Sequence, residues 1–225
     1  MRLFNDKKKL ITMFLIPLIY SVYAIFFMPQ LFKVFTGQTT IYTVALAVGT
    51  VLCALALLFL TAFLFYIKSN KNKSKTTFGY AFTRVICTVL ILLSSMVILS
   101  MLYGLVAVFI NQMLKDNLKL DQIKGIINFM ISIATILVLP LFISIFWEEA
   151  NCKDTFFKSL VNGIAIKGKV YLRLLILIVI SFAIGLIAMT AFNYLSDGIV
   201  LNIFKTILMT ILGTIGLNIS ENIIK

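Results

Sequence analysis

The chain has 225 residues, of which 61% are hydrophobic and 12% charged, with 20 Lys and Arg against 8 acids for a net charge of +12. That balance excludes an ordinary soluble domain, whose surface could not be covered by so few polar side chains, so the apolar side chains must face hydrocarbon. The basic excess is gathered in loops and forms no folded basic face, which argues against nucleic-acid binding and for orientation in a bilayer with an anionic surface.

A membrane helix needs about 20 predominantly apolar residues to cross a hydrocarbon layer of roughly 30 Å. In chain order such runs occur at Leu10 to Phe32, Val34 to Ile67, Val85 to Leu114, Gly125 to Trp147 and Leu174 to Ser196. A sixth, Ile199 to Ser220, is interrupted by Lys205, whose long side chain lies near enough to one end to snorkel to the headgroups. The first run follows Arg2, Lys7, Lys8 and Lys9 as a signal peptide would, but Met28, Pro29 and Gln30 offer no small-x-small cleavage site, so it reads as a span.

The expected fold is all-α, a polytopic membrane helix bundle with six transmembrane helices, forming a single transmembrane domain over residues 1–225. With six spans and an inward N-terminus, 15 cations fall inside and 4 (Lys33, Lys115, Lys119 and Lys124) fall outside. Cytoplasmic loops carry the excess of Lys and Arg, so a multi-pass protein of the cell membrane with both termini cytoplasmic is predicted. Cys53, Cys87 and Cys152 show no paired spacing, and with no histidine in the chain neither disulfides nor a metal site is expected.

The loop after the second span carries Lys68, Lys71, Lys73 and Lys75 with no acid among them. Each such charge near an anionic leaflet contributes on the order of 1 kcal/mol, which makes the loop a topology signal first and a surface for anionic lipid or an acidic partner second. In the fourth span, Asn128, Ser132 and Thr135 form a polar stripe at i, i+4 and i+7 ahead of Pro140. Proline frees a backbone carbonyl one turn earlier and invites a kink. The stripe reads as interhelical hydrogen bonding or, more sharply, as the lining of a pocket. Elsewhere small residues recur on single helical faces, such as Ala45, Gly49, Cys53 and Ala56, or Thr206, Thr210 and Gly213, as close helix packing requires.

The segment 148–169, EEANCKDTFFKSLVNGIAIKGK, predicts a cytoplasmic amphipathic helix between the fourth and fifth spans. Phe156, Phe157, Leu160, Val161 and Ile164 fall on one face. Glu149 with Lys153 and Asp154 with Lys158 are acid-first i, i+4 pairs, each contributing about 0.2–0.5 kcal/mol. Such a helix either lies in the headgroups as a connector or docks a partner, with Glu149, Asp154 and the five apolar residues as its contact set.

An enzyme is not expected. All eight acids sit at predicted loops or span ends, there is no histidine, and no nucleophile elbow or phosphate loop occurs. No cofactor is implied.

Leu139-Pro140-Leu141-Phe142, followed by Phe157-Lys158-Ser159-Leu160 and Asn162-Gly163, resembles the corresponding region of the YesL-like family of small Gram-positive membrane proteins. Glu149-Ala150 with Asp154 five residues on is similar to the EAA loop of ABC importer permeases, which engages the ATPase. The N-terminal NDKKKLITMFLIPL resembles the entry of ABC-2 type export permeases. These resemblances imply a non-catalytic membrane subunit or accessory of a transport or export system, partnered by the bilayer, a cytosolic ATPase or other membrane subunits. Two alternatives stay open: a structural or regulatory YesL-like protein that transports nothing, and a substrate-capturing subunit of an energy-coupling vitamin transporter.

Overall fold

In the computed structural model, which describes residues 2–27, 41–71, 76–114, 120–193 and 198–224, every regular element is helical. The helices are α1 (Arg2–Val22), extended by a π-helical turn (Tyr23–Phe27), α2 (Ile41–Lys71), α3 (Phe78–Leu114), α4 (Leu120–Asn151), the short α5 (Phe156–Ile164), α6 (Gly168–Asn193) and α7 (Ile199–Ile224). Six segments are long and apolar enough to cross a membrane: Lys7–Phe27, Leu46–Asn70, Phe78–Ile110, Gly125–Asn151, Gly168–Phe192 and Ile199–Ile224. The chain is an integral membrane protein with an all-α bundle. The sixth span, interrupted in sequence by Lys205, is a continuous helix.

Each spanning helix packs on the next in sequence, and α1 packs on α7, so the six close into a ring, with α2 and α4 also meeting across it. An even number of spans puts the start of α1 and the end of α7 at one end of the bundle, here the terminal end. Small residues set the closest approaches. A Cβ on Gly213 would lie 2.7 Å from Pro17 Cβ, so α7 can reach the proline of α1 only without a side chain there. Gly49 abuts the Phe27 ring in the same way. Along α7, Thr206, Thr210, Thr214 and Asn218 each donate to the carbonyl one turn earlier, at 2.7–3.1 Å. These polar groups are thereby satisfied inside one helix, as a low-dielectric surrounding demands. By contrast, a Cβ on Gly104 or Gly185 would meet no neighbour.

The core lies toward the terminal end. Met13, Ala62, Leu64, Phe65, Ala81, Val85, Trp147 and Ala150 form one buried cluster. Phe146 packs edge-on against Phe65 and Trp147, with ring centroids 5.2 and 5.1 Å away, a favoured aromatic geometry.

Candidate functional site

Charged side chains gather at the terminal end, at the inner border of that core. Arg84, in the second turn of α3, is 3% exposed and faces Glu149 in the last turn of α4, which is fully buried; Nη2 and Oε2 are 2.6 Å apart. That contact is an ion pair without hydrogen-bond alignment, and Glu149 Oε1 and Arg84 Nε have no hydrogen-bond partner among the described residues. The guanidinium's other donors are directed at the next element. Nη1 donates to the Asp154 carbonyl at 2.7 Å and to the Tyr80 hydroxyl at 3.0 Å, and Nη2 donates to Ser159 Oγ at 2.9 Å. Its carbon lies 5.8 Å from the centre of the Phe156 ring. One arginine therefore ties α3 to the end of α4, the following turn and α5, a task that its planar fork of donors suits and a lysine could not match.

A second cluster joins the first and last helices. Glu221 of α7 pairs with Lys9 of α1 and lies 4.0 Å from Lys68 of α2. Lys68 Nζ also sits 4.0 Å above the Trp147 ring, whose Nε1 donates to Ser220 Oγ at 2.9 Å. Four spanning helices thus meet through charge and hydrogen bonds at one level.

The chain turns sharply between α4 and α5. Cys152 takes a positive φ of 48°, and its N–H donates to the Glu149 carbonyl at 3.1 Å, closing α4. Burial pushes its thiol pKa above the ordinary value. α5 then runs from N-cap Thr155 to Ile164 and presses one face on the bundle: Ser159 and Gly163 are buried. A Cβ on Gly163 would stand 2.6 Å from Ile145 Cα. The opposite face is open, with Phe157, Val161 and Ile164 exposed by 76%, 61% and 54%.

The expected site is therefore rearranged. The amphipathic helix does not begin at Glu148: residues 148–151 complete α4, and α5 spans nine residues. Glu149 is not a surface contact paired with Lys153; burial and Arg84 hold it inside. Asp154 does pair with Lys158, at 2.8 Å, and that hydrogen bond raises the lysine's pKa. Phe156 and Leu160 are only half-exposed, so the open apolar face is narrower than the five residues expected. Gly163 lies inside α5, where its backbone approaches that of α4 at Ile145.

Lys68 is a correction of the same kind. It is buried, not displayed to lipid, because α2 continues helical past it and turns it toward Trp147 and Glu221. Lys71 ends α2 with its side chain outside the described residues, and Lys73 and Lys75 lie outside them altogether. Asn128, Ser132 and Thr135 point away from the bundle, and the two hydroxyls donate to the carbonyls of Asn128 and Ile131 at 2.8 Å. All three are exposed rather than enclosed; Pro140 alone of that set is buried, inside an unbroken α4.

Sequence reasoning missed the two charge clusters. Their signal was the coincidence of Glu149 and Glu221 with Arg84, Lys68 and Lys9 at the same predicted level, read there only as orientation. No family model, no curated protein and no solved structure matches this chain.

Proposed function

We propose that the protein is a non-catalytic membrane subunit or accessory of a transport or export system, and that α5 is its coupling helix toward a cytosolic partner such as an ATPase. One observation carries this reading: α5 is clamped to the bundle by Arg84 and Gly163 on one face while Phe157, Val161 and Ile164 stand exposed on the other. A helix fixed in this way transmits force or position between whatever grips its open face and helices α3 and α4. The cation asymmetry puts this end in the cytosol, and α5 lies between late spans, where the resemblance to importer permeases implies an ATPase contact.

The test is co-purification of tagged full chain from its native membrane with the double variant Phe157→Ser/Val161→Ser as comparison. These residues face away from the bundle, so the variant keeps its fold. Losing about 1.5–3 kcal/mol of apolar burial per site, it is expected to release a partner that wild type retains. Equal recovery of the same proteins with both forms would reduce α5 to a connector resting on headgroups, the reading that exposed Lys158 and, in the turn before it, exposed Lys153 would then favour.

A further inference from the structure

In the half of the bundle away from the charge clusters, α6 and α7 leave a cleft of about 40 Å³ beside the π-helical turn that follows α1. Its direction follows from the antiparallel pairing of α1 with α7. Glu221 meets Lys9, Gly213 meets Pro17, and the same register sets Ile25 level with Lys205. Lys205 and Phe192 are the lining residues nearest the connection between α6 and α7; Leu212 and Gly185 are the farthest from it. The cleft therefore runs from Lys205 toward the middle of the bundle, about 10 Å along α7. Lys205 is the only polar side chain in its wall. A Cβ on Gly185 would meet no atom, so the wall is open there.

Lys205 forms no ion pair or hydrogen bond among the described residues. A charge inside a membrane span is expensive unless something answers it. Lys205 precedes Glu221 by 16 residues on one continuous helix, a rise of about 24 Å. With the Glu221 cluster at one edge of a hydrocarbon layer roughly 30 Å thick, Lys205 stands about 6 Å short of the other edge, within reach of the headgroups for a lysine stem. From that cation the cleft descends into hydrocarbon between apolar walls. A free anion would use the lysine alone, and an apolar molecule the trough alone; a phospholipid, with its phosphate at the edge and its chains pointing inward, uses both in the order in which they occur. We propose that this cleft is a site for an anionic phospholipid, with the Lys205 ammonium on the headgroup phosphate and a stretch of one acyl chain lying between Gly185 and Leu212. The rest of the lipid stays in the bilayer, since the enclosed space seats only part of a chain.

Fluorescence quenching in bilayers tests this at the cleft itself. The full chain carrying Phe192→Trp, which puts an indole in the cleft wall, is reconstituted in phosphatidylcholine containing a minor fraction of dibrominated phosphatidylglycerol or, for comparison, dibrominated phosphatidylcholine. Bromine quenches an indole at contact, and Trp147, fully buried, contributes a constant background. Phosphatidylglycerol is expected to occupy the cleft about fivefold more readily than phosphatidylcholine, the effect of one lysine against an anionic headgroup. Lys205→Met should abolish that preference and Lys205→Arg should keep it. Gly185→Leu, which fills the open wall and leaves the charge in place, should weaken quenching by both lipids and abolish the preference. Equal quenching by the two lipids before the lysine is changed, or a preference that survives Lys205→Met, overturns the proposal. So does a preference that survives Gly185→Leu, which would make Lys205 a surface charge among headgroups with no cleft attached.

Discussion

α3 shows the two ends of the bundle within one helix. In its first turns Ala81, Arg84, Val85 and Thr88 are buried against α2, α4 and α5. Farther along, Leu93, Val97, Met101, Leu105 and Phe109 are all more than half exposed. The composition hardly changes between the two stretches; what changes is the presence of polar groups that can be satisfied in only one way. In a bilayer, apolar contact with a neighbouring helix and with lipid tails are nearly equivalent, so hydrophobicity alone chooses no partner. Arg84, Lys68, Glu149 and Glu221 do choose, since an uncompensated charge at that depth is expensive. The terminal end is thus specified side chain by side chain, and the far end mainly by being greasy.

The sharpest way to break this contrast is Arg84→Met. It leaves Glu149 buried without its counter-ion and removes the contacts to the Asp154 carbonyl, Ser159 and the Phe156 ring, and stability in micelles should fall by about 3–5 kcal/mol. Adding Glu149→Leu should return most of that loss. A single variant that melts where wild type does would show that the ion pair is dispensable and the contrast false. Next in size is Leu64→Ala in the terminal-end core, a fully buried site, where the cavity should cost about 2–5 kcal/mol in the same unfolding assay. The smallest effect belongs to Leu105→Ala, at a side chain 68% exposed. There lipid replaces the lost methyl groups, and a change within about 0.5 kcal/mol is expected. If the two leucine truncations cost the same, packing is uniform along the bundle.

Much of the fold was legible because length and hydropathy are one-dimensional properties. The six spans and a short amphipathic helix before the fifth can be read from runs and from a 3.6-residue period. The site was less legible, for reasons visible at particular residues. Glu149 and Lys153 have ideal spacing for a helical pair, yet the helix ends between them, and the left-handed φ falls on Cys152, a residue type that does not announce it. Lys68 reads as the first charge of a loop, but α2 continues to Lys71 and carries it inward. Asn128, Ser132 and Thr135 share a face, and spacing cannot say toward what that face is turned; here the hydroxyls are satisfied by their own helix. The Arg84 contacts bridge some 70 positions of sequence, and a single sequence carries no period at that range.

The pairing of Lys9 with Glu221 also bears on the order in which the bundle can be made. α1 is made before α7, its neighbour where the ring closes. Until α7 follows, Lys9 has no carboxylate and the groove around Pro17 has no Gly213 to fill it. Synthesis at about 5–20 residues per second makes that wait on the order of ten seconds or more. During it α1 is held at the bilayer edge by its lysines, and any chaperone of membrane insertion that shields this protein should be found on α1.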